Sequence, residues 1–256
     1  MAVKSEPPEE REFLYGIHPV LEALEARLRS IDRILIAREG VAPGMGQILR
    51  TAREAGIPVS HVPREVLARQ AGKRAAHQGI AAVVSAASYS DPDDFCRAAT
   101  EAAGIVVALD GVNDPGNLGA ILRTAAAAGV AGVLLSADRT VGLTPVVAKA
   151  SAGILEKIPV GRVPKLGRRL ESLRENGFKI VALDARGEAF WDGVDLTGRL
   201  ALVAGGEGPG LRAALREIAD RTVAVPLAEG VDSLNVSVAV GVVLFEAVRQ
   251  RRKLVS

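Results

Sequence analysis

The chain has 256 residues, 48% of them hydrophobic and 24% charged, which is enough apolar material for one large or two modest domains and excludes a disordered protein. Thirty-two Lys and Arg against thirty Asp and Glu leave a formal charge of +2, too balanced as a total to announce a nucleic-acid partner, and eight aromatic residues exclude a broad platform of stacked bases. The single cysteine, Cys96, excludes an intrachain disulfide and a multi-cysteine zinc site.

The first ten residues, MAVKSEPPEE, carry a charge of −2 and two prolines, lack the apolar core of a secretory signal, and read as a flexible tail. No apolar run is long enough to cross a bilayer, so the cytoplasm is the expected compartment. Residues 11–87 carry +4 and alternate helical and extended patterns. Apolar residues at 20, 21, 24 and 28 mark one helix face, IDRILIA at 31–37 alternates as a strand, and 46–55 is helical up to Gly56. An extended 57–61, a short helix at 64–70 and a buried strand at 80–86 complete a small αβα domain. Residues 88–103 carry −3, contain Asp91-Pro92 and read as an acidic linker.

Residues 104–256 carry +3 and have a regular cadence, with strands expected at 104–109, 131–135, 178–183, 200–204 and 222–225 and helical patterns between most of them. Such alternation argues a largely parallel α/β sheet, in which ligands gather beyond the carboxyl ends of the strands. Three of those ends carry polar chemistry. The first, residues 109–130, opens on the turn Asp114-Pro115-Gly116-Asn117 and continues as an Ala-rich helix; Asn117 is positioned to cap it, and Arg123 follows six residues on, facing solvent or the top of the sheet. The second, ALVAGGEGPGL at 201–211, places four glycines between 205 and 210, which permits close backbone approach to a ligand. It lacks the Lys-Ser/Thr of a P-loop, and Glu207 within it would repel a phosphate while accepting hydrogen bonds from a ribose, an amine or a base. The third, 225–253, sets Ser233 and Asn235 beside a long apolar run. Val236, Val238 and Val240 alternate as in a strand, whereas Leu244, Phe245, Val248 and Arg249 continue as a final helix, and the period alone leaves the two open.

Taken together and in this order, DPGNLGAILRTAAAAG, LVAGGEGPGL and VPLAEGVDSLNVSVAVGVVLFEAVRQR resemble the three motifs of SpoU (TrmH-type) RNA ribose 2′-O-methyltransferases of the SPOUT superfamily. YGIHPVLEAL at 15–24 and AHQGIAAVV at 76–84 resemble the substrate-binding extension of the 23S rRNA guanosine-2′-O-methyltransferases that act on the peptidyl-transferase loop. The resemblance covers about residues 14–253 and implies an α/β protein of two domains. These are an L30e/L7Ae-like αβα domain at 11–87, which binds the RNA substrate, and a trefoil-knotted, mostly parallel α/β-knot catalytic domain at 104–256. It also implies a homodimer, S-adenosylmethionine as cofactor, RNA as partner and no metal.

Carried over position by position, the resemblance makes Arg123, Asn117, Glu207, Ser233 and Asn235 the catalytic set, and the backbone around Gly205, Val225, Leu227 and Leu234 the cofactor cradle. The chain departs from its relatives at Glu229 and Asp232, two carboxylates where small or neutral residues are usual, and Lys149 to Gly153 (KASAG) fits the family's connecting segment. Competing readings are a tRNA target, an antibiotic-resistance site in rRNA, and a non-catalytic RNA-binding or ribosome-assembly factor. Against the whole-chain balance of charge, the stretches 69–77 (RQAGKRAAH), 162–169 (RVPKLGRR) and 249–253 (RQRRK) offer local phosphate contacts. Twenty-five of the 32 basic residues are arginine, which suits bidentate phosphate contacts but also follows from base composition or heat adaptation.

Overall fold

A computed structural model describes residues 11–27, 29–38, 43–71, 76–206 and 210–254. The expected tail, 1–10, lies outside them, as do Leu28, Lys73 and Glu207. The chain divides into two compact units: residues up to 88 together with 143–157, and residues 89–142 together with 158–256.

The first unit opens with β1 (Arg11–Tyr15), a strand the sequence pattern does not announce, followed by α1 (Ile17–Ala26), β2 (Ile31–Ala37), α2 (Met45–Glu54), β3 (Val59–Val62), α3 (Arg64–Ala71) and β4 (Ile80–Ser85). Its sheet has the order β1-β4-β2-β3, antiparallel except between β2 and β3. Tyr15, Leu35, Ala37, Leu67 and Ala81 form a core cluster on one face.

The segment expected as a linker is instead the start of the second unit. It forms α4 (Pro92–Glu101), whose Phe95, Cys96 and Ala99 are buried in that unit's core. Asp91 accepts a hydrogen bond from the Asp93 amide at 2.8 Å, Pro92 takes the first helical position, and Asp93 and Asp94 lie in the first turn. The signals that read as an acidic, proline-broken linker are thus an N-cap, a proline that needs no amide donor, and two carboxylates facing the positive end of a helix. Burial pushes the Cys96 thiol up to about 11.

There follow β5 (Ile105–Asp110), α5 (Pro115–Ala127) and β6 (Gly132–Ser136). The chain then passes back into the first unit with α6 (Pro145–Ala150) and a 3-10 turn at Ile154–Glu156. There α6 packs on β1 and α1. Glu156 and Arg29, both almost wholly buried, pair at 2.9 Å, and Arg29 also reaches Glu12 at 3.0 Å. Burial raises the Glu156 carboxyl above its ordinary value, with Arg29 opposing the shift.

The second unit resumes with β7 (Val160–Val163), α7 (Leu166–Glu175), β8 (Lys179–Leu183), β9 (Ala189–Phe190), β10 (Leu200–Gly205), α8 (Ala213–Ile218), β11 (Arg221–Ala224) and α9 (Val236–Lys253). The alternation at Val236, Val238 and Val240 therefore belongs to a helix. The seven strands run β7-β6-β5-β10-β8-β11-β9, and all six neighbouring pairs are parallel. The inner strands are buried on both faces, as a parallel sheet covered by helices requires. One face packs Leu134, Ile180 and Val203 against Phe95 of α4 and Leu166, Leu170 and Leu173 of α7. The last helix, α9, returns from β11 to pack on α5 and β10. That return to the centre of an all-parallel sheet agrees with the α/β-knot fold. The chain steps outward from β5 to β6 and β7, then reappears on the other side of β10. The junction of β5 and β10 is thus the topological switch point, where a ligand crevice is expected.

Candidate functional site

A cavity of about 390 Å³ opens at the carboxyl ends of β8, β10 and β11, within the usual size of small-molecule sites. It is lined by residues 183–186, 204–206, 210–211, 225, 227, 232–236 and 239. Six of the nine residues singled out from the sequence are on its wall: Gly205, Val225, Leu227, Ser233, Leu234 and Asn235. Asn117 joins them through a side-chain hydrogen bond, its Oδ1 accepting from Asn235 Nδ2 at 2.9 Å. The Arg123 side chain is exposed on α5 and makes no hydrogen bond or ion pair with another described residue. Glu207 lies outside the described residues.

Glycine shapes the second loop by removing side chains from a crossing of two backbones. A Cβ on Gly206 would stand 1.6 Å from the Gly111 carbonyl oxygen, and one on Gly205 would stand 2.2 Å from the Leu211 amide nitrogen. Neither is sterically possible, so the loop after β10 closes against the loop after β5 only with glycine at 206, and folds back onto Gly210 and Leu211 only with glycine at 205. The Gly206 amide donates to the Asp110 carbonyl at 2.9 Å, and Gly206 bridges Gly210 across the turn.

Asp110, at the end of β5, holds the same loop by its side chain. The carboxylate is fully buried and accepts two hydrogen bonds from Arg212, from Nε and Nη2, each at 2.7 Å; Arg139 lies at 3.7 Å. Such a bidentate fork fixes both distance and orientation. The turn after β8 is fixed similarly: Asp184 accepts from the Arg186 amide at 2.9 Å and from Arg216 Nη1 at 3.1 Å, while its own amide donates to Val223 at 3.0 Å. Asp110, Arg212, Asp184 and Arg186 were absent from the sequence-derived set. The turn after β8 had a usable signal, since it follows the carboxyl end of an expected strand.

The helix starts differ from expectation in one detail. Asp114, rather than Asn117, caps α5, accepting from the Asn117 amide at 2.7 Å. That leaves the Asn117 side chain available to Asn235. Asn235 is itself the cap of α9, its Oδ1 accepting from the Ser237 amide at 2.8 Å and from the Ser237 hydroxyl at 2.6 Å. With its acceptor so engaged, the amide must turn its donor to Asn117, and the starts of α5 and α9 are tied together beside the cavity. Of the two unusual carboxylates, Asp232 lines the cavity and Glu229 is exposed outside its wall. Among the described residues no group of three or more His, Cys, Asp or Glu is placed to hold a metal.

In the first unit the two motifs of the expected substrate-binding domain fold onto each other. Gln78 Oε1 accepts from the Ile17 amide at 3.0 Å, and buried His77 accepts from the Gly79 amide at 3.2 Å through Nδ1. Burial, with smaller contributions from Arg64 and Lys149, lowers the His77 imidazole below its ordinary value. Lys149 is not a free surface cation: its ammonium stands 4.6 Å from the centre of the Tyr15 ring and donates to the Ala76 carbonyl. Burial lowers its pKa as well.

Residues 104–245 match the sequence model of the SpoU rRNA methylase family, and residues 13–90 match that of RNA 2′-O ribose methyltransferase substrate binding. An uncharacterized tRNA/rRNA methyltransferase of Mycolicibacterium paratuberculosis is 39% identical over 245 residues, covering 95% of this chain and 79% of the relative. A TrmH-family tRNA/rRNA methyltransferase of Bacillus subtilis is 37% identical over 245 residues, covering 95% and 97%. Among solved structures, a SpoU methyltransferase from Streptomyces viridochromogenes in complex with the cofactor AdoMet aligns with a TM-score of 0.78 and 27% identity, covering 95% of this chain and 91% of that one.

Proposed function

The chain belongs to the SpoU rRNA methylase family, and from that premise we propose that it methylates the ribose 2′-hydroxyl of a guanosine in 23S rRNA. Its reaction class is S-adenosylmethionine-dependent RNA 2′-O-methyl transfer. The observation that carries the reading is the cavity wall, where residues from the second and third motifs converge and the Asn117 to Asn235 hydrogen bond ties in the first.

The residues present fit the cofactor. Gly205 and Gly206 expose backbone without side chains, and Leu227, Leu234 and Val225 supply apolar surface for an adenine beside backbone amides and carbonyls that can read its edge. When bound, S-adenosylmethionine supplies an already activated methyl group. The protein's task is then to hold the 2′-oxygen in line and to stabilise the charge that grows on it. Arg123 is exposed and has no carboxylate partner among the described residues, so its guanidinium is available to the RNA phosphate next to the target ribose and to the developing alkoxide. A guanidinium stays protonated in ordinary settings, which favours this clamp over a general base. Asn117, Asn235 and Ser233 orient the ribose, and Glu207 accepts a hydrogen bond from ribose or base. The first unit holds the RNA substrate, and the enzyme acts as a homodimer, for which Val238 and Phe245, about half exposed on α9, offer apolar contact.

A tRNA target is the second reading, favoured by the joint tRNA/rRNA naming of both relatives. Mass spectrometry of rRNA and tRNA from a strain lacking the gene separates the two. Loss of one 2′-O-methylguanosine from 23S rRNA is expected; an unchanged rRNA map with a lost tRNA methylation would replace the substrate.

A further inference from the structure

We propose that the part of the sheet edge over β6 and β7 is a track for the phosphate backbone of the RNA, a reading that rests on the RNA methyltransferase function above. Two open hollows lie there. One, of about 470 Å³, is lined by Asn113, Asp138, Arg139, Thr140, Val141 and Arg162. The other, of about 610 Å³, is lined by residues that include Asp93, Lys165, Arg168, Arg169 and Ser172. Five cations therefore face two carboxylates, an excess of three positive charges on a small area of a chain whose total is +2.

The contacts of these cations distinguish them from the structural arginines nearby. Arg169 pairs with Asp93, and Arg139 is 3.7 Å from Asp110. Arg162 has no carboxylate partner among the described residues; it is held over the Tyr89 ring at 5.7 Å and donates to the Ala137 carbonyl, so its position is fixed without an ion pair there. Lys165 and Arg168 are exposed, and their side chains have no hydrogen bond or ion pair with any described residue. By contrast, Arg174 on the same helix donates to the Ile218 carbonyl at 3.3 Å. Concentrated cations without partners fit a polyanion, whose counterions are released as its phosphates are neutralised.

The place of the track supports the same conclusion. Asn113 lies one residue before Asp114, the cap of α5, so the first hollow ends at the start of the helix that carries Asn117. The cofactor cavity occupies the other side, over β10, β8 and β11. A chain of phosphates laid over β7 and β6 would thus deliver a ribose to the starts of α5 and α9, with the methyl donor beyond. Single-stranded or splayed RNA held by its backbone needs no aromatic platform, in keeping with the eight aromatic residues of the whole sequence.

The test is a salt titration of binding to an in-vitro transcript of 23S rRNA, for the parent chain and for Lys165→Ala with Arg168→Ala. The double variant is expected to bind more weakly, and the slope of log affinity against log salt is expected to fall by about 1 for each cation removed. Its S-adenosylmethionine affinity and thermal midpoint should match the parent, and Lys165→Ala alone should show about half the change in slope. Parent-like RNA affinity and slope in the double variant, with the parent binding both ligands, would overturn the track and leave the methyltransferase reading standing. A parent that binds neither S-adenosylmethionine nor RNA would overturn both.

Discussion

At the ends of β10 and β8, arginines are matched to carboxylates: Arg212 forks onto buried Asp110, and Arg216 reaches half-buried Asp184. At the ends of β6 and β7, on the same edge of the same sheet, Arg162, Lys165 and Arg168 have no carboxylate among the described residues. The first group is structural: withdrawing Arg212 would strand the Asp110 charge away from water, and Arg216 holds the turn at Asp184. The second is available to a ligand, because its charge is still solvated and uncompensated. Arg123, on the helix that starts between the two halves, belongs with the second group. The abundance of arginine in the sequence is thus uninformative by itself; its meaning comes from what each guanidinium touches.

The largest effect expected from this division is at Arg123. Arg123→Ala should lower single-turnover methyl transfer by about 10²–10³-fold, the usual loss when a charge-stabilising donor is removed, with S-adenosylmethionine affinity unchanged. A loss confined to cofactor affinity would move Arg123 into the cradle. On the structural side, Arg212→Ala should destabilise the protein by about 3 kcal/mol in urea unfolding, because it leaves Asp110 buried with only the more distant Arg139. Adding Asp110→Asn to that variant should recover part of the loss. Equal stabilities of single variant and parent would place Arg212 with the free cations. Next in size, Gly206→Ala should cost about 1–3 kcal/mol as the two loops are forced apart, and it should weaken S-adenosylmethionine binding at the same time.

A smaller effect extends the comparison to the first unit, where Glu156 and Arg29 form the same kind of buried pair. Burial raises the Glu156 carboxyl, so the folded chain takes up its proton more readily than the unfolded chain does. Stability contributed in this way is present at low pH and falls as pH rises from the ordinary value of 4.5 through the raised one, by at most about 1.4 kcal/mol per pH unit. Glu156→Gln should flatten that part of the pH profile of the urea midpoint; a profile parallel to the parent would contradict it.

What the sequence disclosed follows from the range of the interactions involved. Strands such as IDRILIA at 31–37 and the one ending at Asp110 are visible as short apolar runs, buried continuously over 34–37 and 105–110. By contrast, β9 with two residues is too short to carry a period. The beginning of α4 is ambiguous in sequence because aspartate and proline mark both a linker and a capped helix start. The cavity wall was legible through motif resemblance, down to Ser233, Leu234 and Asn235. Its supports were not: Asp110 and Arg212 are 102 positions apart, and Arg29 and Glu156 are 127 apart. No local pattern announces such pairings, nor does one announce that residues 143–157 return to the first unit.

The most direct test is a calorimetric titration of S-adenosylmethionine into the parent chain and into Gly205→Ala, whose added methyl group cannot coexist with the closed loop. The parent should bind one-to-one and the variant should lose that binding. A parent that gives no binding, or a variant that binds as tightly as the parent, would contradict the assignment of this cavity to the cofactor.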